Sequence, residues 1–195
     1  MKRLMLVLVF SMIMFTNNST MADDSRFALG LTHVSGLENV MDIYESNMIA
    51  EGHYAYSEDY WPVGISFHSY TEYDNGFGFG GNVGPLMIIY GGRDFSDIPV
   101  GLDFRYTFFP EASITPYVRV GGRYHIVSGS YVEDSIPGFF GGIGVDLLRN
   151  KKGGMGIEIS YDASEIELVK KGKRGHSTTK RVRPGELMFS IYILF

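Results

Sequence analysis

The stretch Glu186-Leu187-Met188-Phe189-Ser190-Ile191-Tyr192-Ile193-Leu194-Phe195 decides the fold. Leu187, Phe189, Ile191, Ile193 and Phe195 form one set, and Glu186, Met188, Ser190, Tyr192 and Leu194 the other. Side chains of a strand alternate between its two faces, so a period of two over ten residues is a strand with one wholly apolar face. The same period recurs upstream. Met155, Ile157, Ile159 and Tyr161 alternate with Gly156, Glu158, Ser160 and Asp162. Val100, Leu102, Phe104, Tyr106 and Phe108 alternate with Gly101, Asp103, Arg105 and Thr107. Val118, Val120, Tyr124 and Ile126 alternate with Tyr117, Arg119, Gly121, Arg123 and His125.

Weaker alternation covers 26–34, 62–73, 77–90 and 137–148, the last setting Phe139, Ile143, Val145 and Leu147 against Gly142, Gly144 and Asp146. With 100–108, 117–126, 155–164 and 186–195 this predicts eight strands in one all-β domain. Short links join some of them: Tyr73-Asp74-Asn75-Gly76 with its Asn-Gly turn signal, Pro110 to Ile114, and Arg149 to Gly153. Longer polar links, at 35–60, 91–97, 129–136 and 169–184, fall between the others. Long loops on one rim and short turns on the other describe an antiparallel up-and-down barrel. One segment departs from the period: Leu37, Val40, Met41, Tyr44 and Met48 have helical spacing, so 37–49 is expected to be a short helix within a loop.

Composition narrows the class. The chain has 195 residues, 45% of them hydrophobic and 20% charged, with 25 Gly, 14 Phe, 13 Tyr and no Cys. Without cysteine there is neither a disulfide scaffold nor a thiolate zinc site. A formal net charge of −5 argues against nucleic acid as a partner. At the N-terminus, Lys2 and Arg3 precede an apolar run from Leu4 to Phe15, and Thr20-Met21-Ala22 ends in a small residue. That order predicts a secretory signal peptide over 1–22 and a barrel over 23–195. The run is shorter than the roughly 20 residues a spanning helix requires.

Alternation alone does not say whether the apolar face points inward, as in a ligand-holding soluble barrel, or outward to lipid. The polar face decides for lipid. It carries Asp103, Arg105, Arg119, Arg123, Asp146, Glu158, Asp162 and Glu186, a mixture of charges that an apolar cavity would not tolerate and that a barrel lumen can pair internally. Arg119 is expected to pair with Glu158. Aromatic residues at strand ends (Tyr60, Trp61, Tyr90, Phe108, Phe109, Tyr117, Tyr131) fit interfacial girdles.

The signal peptide, eight strands, loop asymmetry and terminal Ser190-Ile191-Tyr192-Ile193-Leu194-Phe195 resemble the Gram-negative outer-membrane β-barrels of the OmpA/OmpX class, over essentially all of the mature chain. The resemblance implies residence in the outer membrane, lipid and lipopolysaccharide as neighbours, a monomer, and no cofactor or metal. It also implies recognition of Phe189, Ile191, Ile193 and Phe195 by the barrel assembly machinery. The function it implies is non-enzymatic: envelope integrity, adhesion or interaction through exposed loops. A narrow channel or carrier for small apolar compounds, as in OmpW-like barrels, is the alternative.

An enzyme reading rests on His33-Val34-Ser35, whose spacing is similar to that in a lipid A 3-O-deacylase. The surrounding constellation needed for acyl-ester hydrolysis is missing, so no catalytic residue is assigned. His68 and His125, both on the inward set, are expected to be interior hydrogen-bonding groups. The glycines from Gly76 to Gly84 read as strand positions where a neighbour approaches closely, rather than a phosphate-binding loop. The loops differ in charge. Segment 170–183 holds Lys170, Lys171, Lys173, Arg174, Lys180, Arg181 and Arg183 without an acid, whereas 35–60 holds Glu38, Asp42, Glu45, Glu51, Glu58 and Asp59 without a lysine or arginine. Barrel closure brings these segments together, so the basic one either binds an anionic partner such as lipopolysaccharide or pairs with its acidic neighbour.

Overall fold

The computed structural model describes residues 24–53, 62–89, 95–148, 153–172 and 176–195. The expected signal peptide, Tyr60, Trp61, Tyr90, Lys173 and Arg174 lie outside the described residues. The elements are β1 (Asp24–Val34), α1 (Leu37–Ala50), β2 (Val63–Glu72), β3 (Phe77–Ile89), β4 (Phe95–Thr107), β5 (Ile114–Gly129), β6 (Val132–Ile136), β7 (Gly138–Leu147), β8 (Gly154–Asp162), β9 (Glu165–Lys171), β10 (Ser177–Val182) and β11 (Leu187–Leu194). Eight strands close an antiparallel barrel in the order β1-β2-β3-β4-β5-β7-β8-β11, while β6, β9 and β10 form a separate sheet in the order β10-β9-β6. Closure runs from Ala28 opposite Leu194 to Val34 opposite Met188. Phe27 and Phe195 extend it, with a 2.9 Å bond from Phe195 N to Phe27 O.

The turn after β2 shows how sequence sets the short rim. Gly76 sits at φ 83°, a left-handed conformation that costs glycine little. Its N–H closes on Tyr73 O at 2.8 Å, and Asn75 Oδ1 accepts from Phe77 N at 3.0 Å. The fixed turn puts Glu72 opposite Gly78, and the register of β2 and β3 follows.

The outer wall is apolar on every barrel strand. Leu31, Phe104, Val120 and Ile143 are each 60% exposed or more. On a soluble surface so continuous an apolar belt would be an aggregation site; against lipid it is the stable arrangement. No described helix is long and apolar enough to cross a membrane, which says nothing of the strands. Where its ladders are regular, a closed barrel pairs backbone donors and acceptors between strands, which is what a membrane would require of them.

The opposite rim carries the second layer. α1 forms as expected, with Leu37, Val40, Ile43, Tyr44 and Asn47 buried along one face. Its first turn starts at Gly36, where a Cβ would stand 2.6 Å from Pro184 O. The links at 129–136 and 169–184, expected to be polar loops, instead contain β6, the end of β9 and all of β10. These elements and α1 enclose a core of Val34, Ile43, Phe95, Ile166, Leu168 and Met188, all at 2% exposure or less. The cap closes over the barrel mouth. β4 also begins earlier than expected, at Phe95, because Pro99 breaks the alternating pattern without ending the strand. Pro99 still lies opposite His125 in the β4–β5 ladder.

Candidate functional site

Below the cap, the inward residues form a connected polar network down the barrel axis. Near the short-turn rim, Thr107 Oγ1 donates to Glu72 Oε2 at 2.8 Å, and Arg105 Nε donates to Thr107 Oγ1 at 3.1 Å. The Arg105 guanidinium pairs with Asp146 and lies 3.5 Å from the centre of the Tyr117 ring, a cation–π arrangement. Asp146 also accepts from Tyr192 OH at 2.7 Å. Tyr117 OH, hydrogen-bonded to Tyr192 OH, donates to Glu158 Oε2 at 2.8 Å.

In the middle layer, Arg119 bridges two strands. Its Nη2 donates to Glu158 Oε1 at 2.6 Å and its Nη1 to Asp103 Oδ2 at 3.0 Å. Asp103 further accepts from Asn82 Nδ2 at 2.8 Å and faces His68 Nε2 at 3.2 Å. Above it, Arg123 donates to Asn82 Oδ1 at 2.9 Å and to Asp162 Oδ2 at 3.0 Å. His125 stands between Asp162, at 3.4 Å, and Asp97, at 2.8 Å. Arg123 Nη1 also lies 3.5 Å from the Met188 sulfur, so the top of the network meets the underside of the apolar cap.

Alternation turns these side chains inward, and strand register decides which of them meet. Arg105 and Arg119 are directly opposite on β4 and β5. Like charges side by side repel, so each reaches across the lumen to a carboxylate on β7 or β8. One stretch of the lumen is loosely filled. There β1, β2 and β11 contribute the small residues Ala28, Gly30, Thr32, Ser66 and Ser190, and beside them remains a cavity of about 40 Å³. Thr32 Oγ1 lies 2.7 Å from Ser66 Oγ and 2.8 Å from Ser190 Oγ there. A space of that size and polarity suits a few waters.

Asp103, Arg105, Arg119, Arg123, Asp146, Glu158 and Asp162 are all buried in this network, and Arg119 and Glu158 are partners. Glu186 is not part of it. The Pro184–Gly185 turn delays β11 until Leu187, so Glu186 lies exposed on the bend, and the alternation projected onto it has no ladder to act on. Sequence reading missed Glu72 and Asp97, buried carboxylates at the two ends of the network. Asp97 fell within an expected loop; its spacing from Asp103, an even number of residues, was the available signal.

The basic segment is a hairpin, not a loop. Lys171 pairs with Glu51, Arg181 with Glu167 at 2.9 Å and Arg183 with Glu165 at 2.8 Å, whereas Lys170 and Lys180 are exposed. Acidic and basic segments do meet, through Glu51 and Lys171, but most of the pairing is between β9 and the chain from β10 onward. Phe189, Ile191, Ile193 and Phe195 all face outward, between 44% and 61% exposed. His33 is exposed on the outer face, and Ser35 Oγ accepts from Leu187 N at 3.1 Å; among the described residues no hydrogen bond joins the two. No group of acidic and histidine side chains able to hold a metal occurs among the described residues.

No family model matches the chain, and no curated protein matches it in sequence. Solved structures do share its fold. The outer membrane protein OprG from Pseudomonas aeruginosa superimposes with a TM-score of 0.59 at 10% identity, over 89% of this chain and 95% of that one. The outer membrane protein W of E. coli gives a TM-score of 0.50 at 16% identity, over 91% of this chain and 100% of that one. The chain therefore has the fold of the Gram-negative outer-membrane eight-stranded β-barrels, as its sequence resemblance implied.

Proposed function

We propose that this chain is an integral, non-enzymatic protein of a Gram-negative outer membrane whose lumen is sealed and whose work is done by the cap outside the cell. Export would remove 1–22. The short turns would face the periplasm, lipid and lipopolysaccharide would surround the belt, and a single copy would suffice, since the barrel closes on itself. The assembly machinery would read Phe189, Ile191, Ile193 and Phe195. The observation that carries the sealed-lumen reading is the continuous network from Glu72 to Asp97, roofed by the apolar core around Phe95 and Met188. An ion crossing it would have to break buried ion pairs and then enter an apolar layer, both steps costly.

A carrier for small apolar compounds is the second reading, favoured by the wall beside the cavity. Gly84 and Pro85 oppose the single residue Ser66 on β2. The β3–β4 register is likewise broken between Val83 and Met87, near Pro99. Two prolines remove two donors there, and Gly84 and Pro85 also line the cavity. Planar-bilayer recording of the purified barrel separates the readings. The sealed barrel gives no steps above the bare bilayer, whereas steady conductance, or uptake of an apolar dye into vesicles holding the barrel, would replace it with the carrier.

A further inference from the structure

The extramembrane sheet has two unlike edges. On one side of β9, β6 covers Glu165 to Leu168. Where β6 ends, α1 takes over: Asn47 Nδ2 donates to Val169 O at 2.7 Å, and Asn47 Oδ1 accepts from Lys171 N at 2.6 Å. A buried side-chain amide thus substitutes for the missing strand residue and continues the ladder. On the other side lies β10, the last strand of the sheet among the described residues.

The register shows which groups β10 leaves open. Gly172 N donates to His176 O at 2.6 Å, which makes that facing pair a hydrogen-bonded one. Hydrogen-bonded and non-bonded pairs alternate along an antiparallel ladder. With Ser177 opposite Lys171 and Val182 opposite Ile166, Thr178, Lys180 and Val182 turn their backbone groups to β9. Ser177, Thr179 and Arg181 turn theirs away. The bonds on the other side of β9 agree, since Val169 and Lys171 point to Tyr131 and Asn47. Residues 177–181 are exposed throughout.

We propose that the open edge of β10 docks an extended, acidic segment of a partner protein by strand addition. Main-chain bonds from Ser177, Thr179 and Arg181 would supply the pairing, and the cations at 180 and 181 the selectivity. The inference rests on the reading that the cap faces out of the cell. Charge chooses the occupant. β10 carries Lys180 and Arg181 and no acid, one cation on each face of the sheet. A second copy pairing antiparallel on the same edge would bring two further cations beside these two and no acid, which opposes self-association. Two adjacent acidic residues on an incoming strand would meet both.

The probe is a capped hexapeptide with two adjacent central glutamates between β-branched residues, added to the folded full-length barrel in lipid nanodiscs and followed by amide exchange. The expected result is slowed exchange at Ser177, Thr179 and Arg181 and no effect from the lysine counterpart of the peptide. Thr179→Pro removes an outward N–H while sparing the β9 bonds, and should weaken binding at least about tenfold. Thr179→Ala, which loses only the bond from Thr179 Oγ1 to Glu133, should not. Lys180→Glu with Arg181→Glu should switch preference to the lysine peptide. Equal binding of both peptides, no protection at the three amides, or concentration-dependent dimers abolished by Thr179→Pro would overturn the proposal. Ser177→Cys on intact cells, treated with a membrane-impermeant maleimide, tests the underlying topology. Labelling without peptide binding sinks this inference alone, and absence of labelling sinks the outward-facing cap as well.

Discussion

The barrel and its cap are built from the same alternating strands with opposite signs. In the barrel, Phe104 and Val120 face out while Asp103 and Arg119 are buried; in the cap, Ile166 and Leu168 are buried while Arg181, on the other face of the sheet, is exposed. The period is set by the backbone and is the same in both. Which set is buried depends on what lies outside, which on the proposed placement is lipid in one case and water in the other. The difference extends to energetics. Cap stability comes mainly from apolar packing, whereas in the lumen, with the apolar side chains turned outward, side-chain stability depends on pairing charges that water no longer solvates.

The largest effect is expected where that pairing is broken. Arg119 holds both Asp103 and Glu158, so Arg119→Ala leaves two buried carboxylates without their shared cation. It should destabilise the folded barrel by about 3–5 kcal/mol in urea unfolding. Adding Glu158→Gln should recover part of the loss. Unchanged unfolding would mean that water fills the lumen, and the contrast between the two regions would fail on the barrel side.

Cap variants should act locally. Leu168→Ala deletes side-chain volume at a site with 0% exposure and should cost about 2–5 kcal/mol of cap stability. It should be seen as faster amide exchange in α1, β6 and β9 with the barrel still folded. Asn47→Ala, which leaves Val169 O and Lys171 N without their partner, should cost about 1–3 kcal/mol and speed exchange at Lys171 first. If either variant unfolded the barrel too, cap and barrel would be one cooperative unit rather than two layers with separate logic.

How much of this was legible in the sequence follows from the same contrast. Barrel strands run for nine or more residues in most cases, and a long alternation shows itself even with glycine at several positions, so the strands and seven lumen charges could be read directly. Glu186 was misplaced because parity was carried one residue beyond the start of the ladder. The cap sheet was hidden: β10 reads Ser-Thr-Thr-Lys-Arg-Val, with one apolar residue and hence no period. β9 alternates as Glu-Ile-Glu-Leu, too briefly to stand out from a polar link. What makes them strands is mutual pairing and the core beneath, which are tertiary facts. The lumen partners were partly hidden for a related reason, because parity gives the face of Arg105 but not the strand across from it.

The smallest effect tests the contrast within one residue type. Arg181 and Arg119 are both arginines on strands, each paired with a glutamate at short range: Arg181 with Glu167 at 2.9 Å and Arg119 with Glu158 at 2.6 Å. The Arg181 side chain is 63% exposed and that of Arg119 is 8%. In water the attraction is screened, the arginine keeps most of its hydration, and ordering two long side chains offsets much of the gain. Arg181→Ala should therefore change cap stability by about 1 kcal/mol or less, and the difference should shrink further in high salt. Amide exchange at Glu167 and Arg181, measured at low and high ionic strength, gives the readout. A loss as large as that for Arg119→Ala, or one insensitive to salt, would show that the outer face of the sheet is covered in the folded protein. The sign rule separating cap from barrel would then need a third surface.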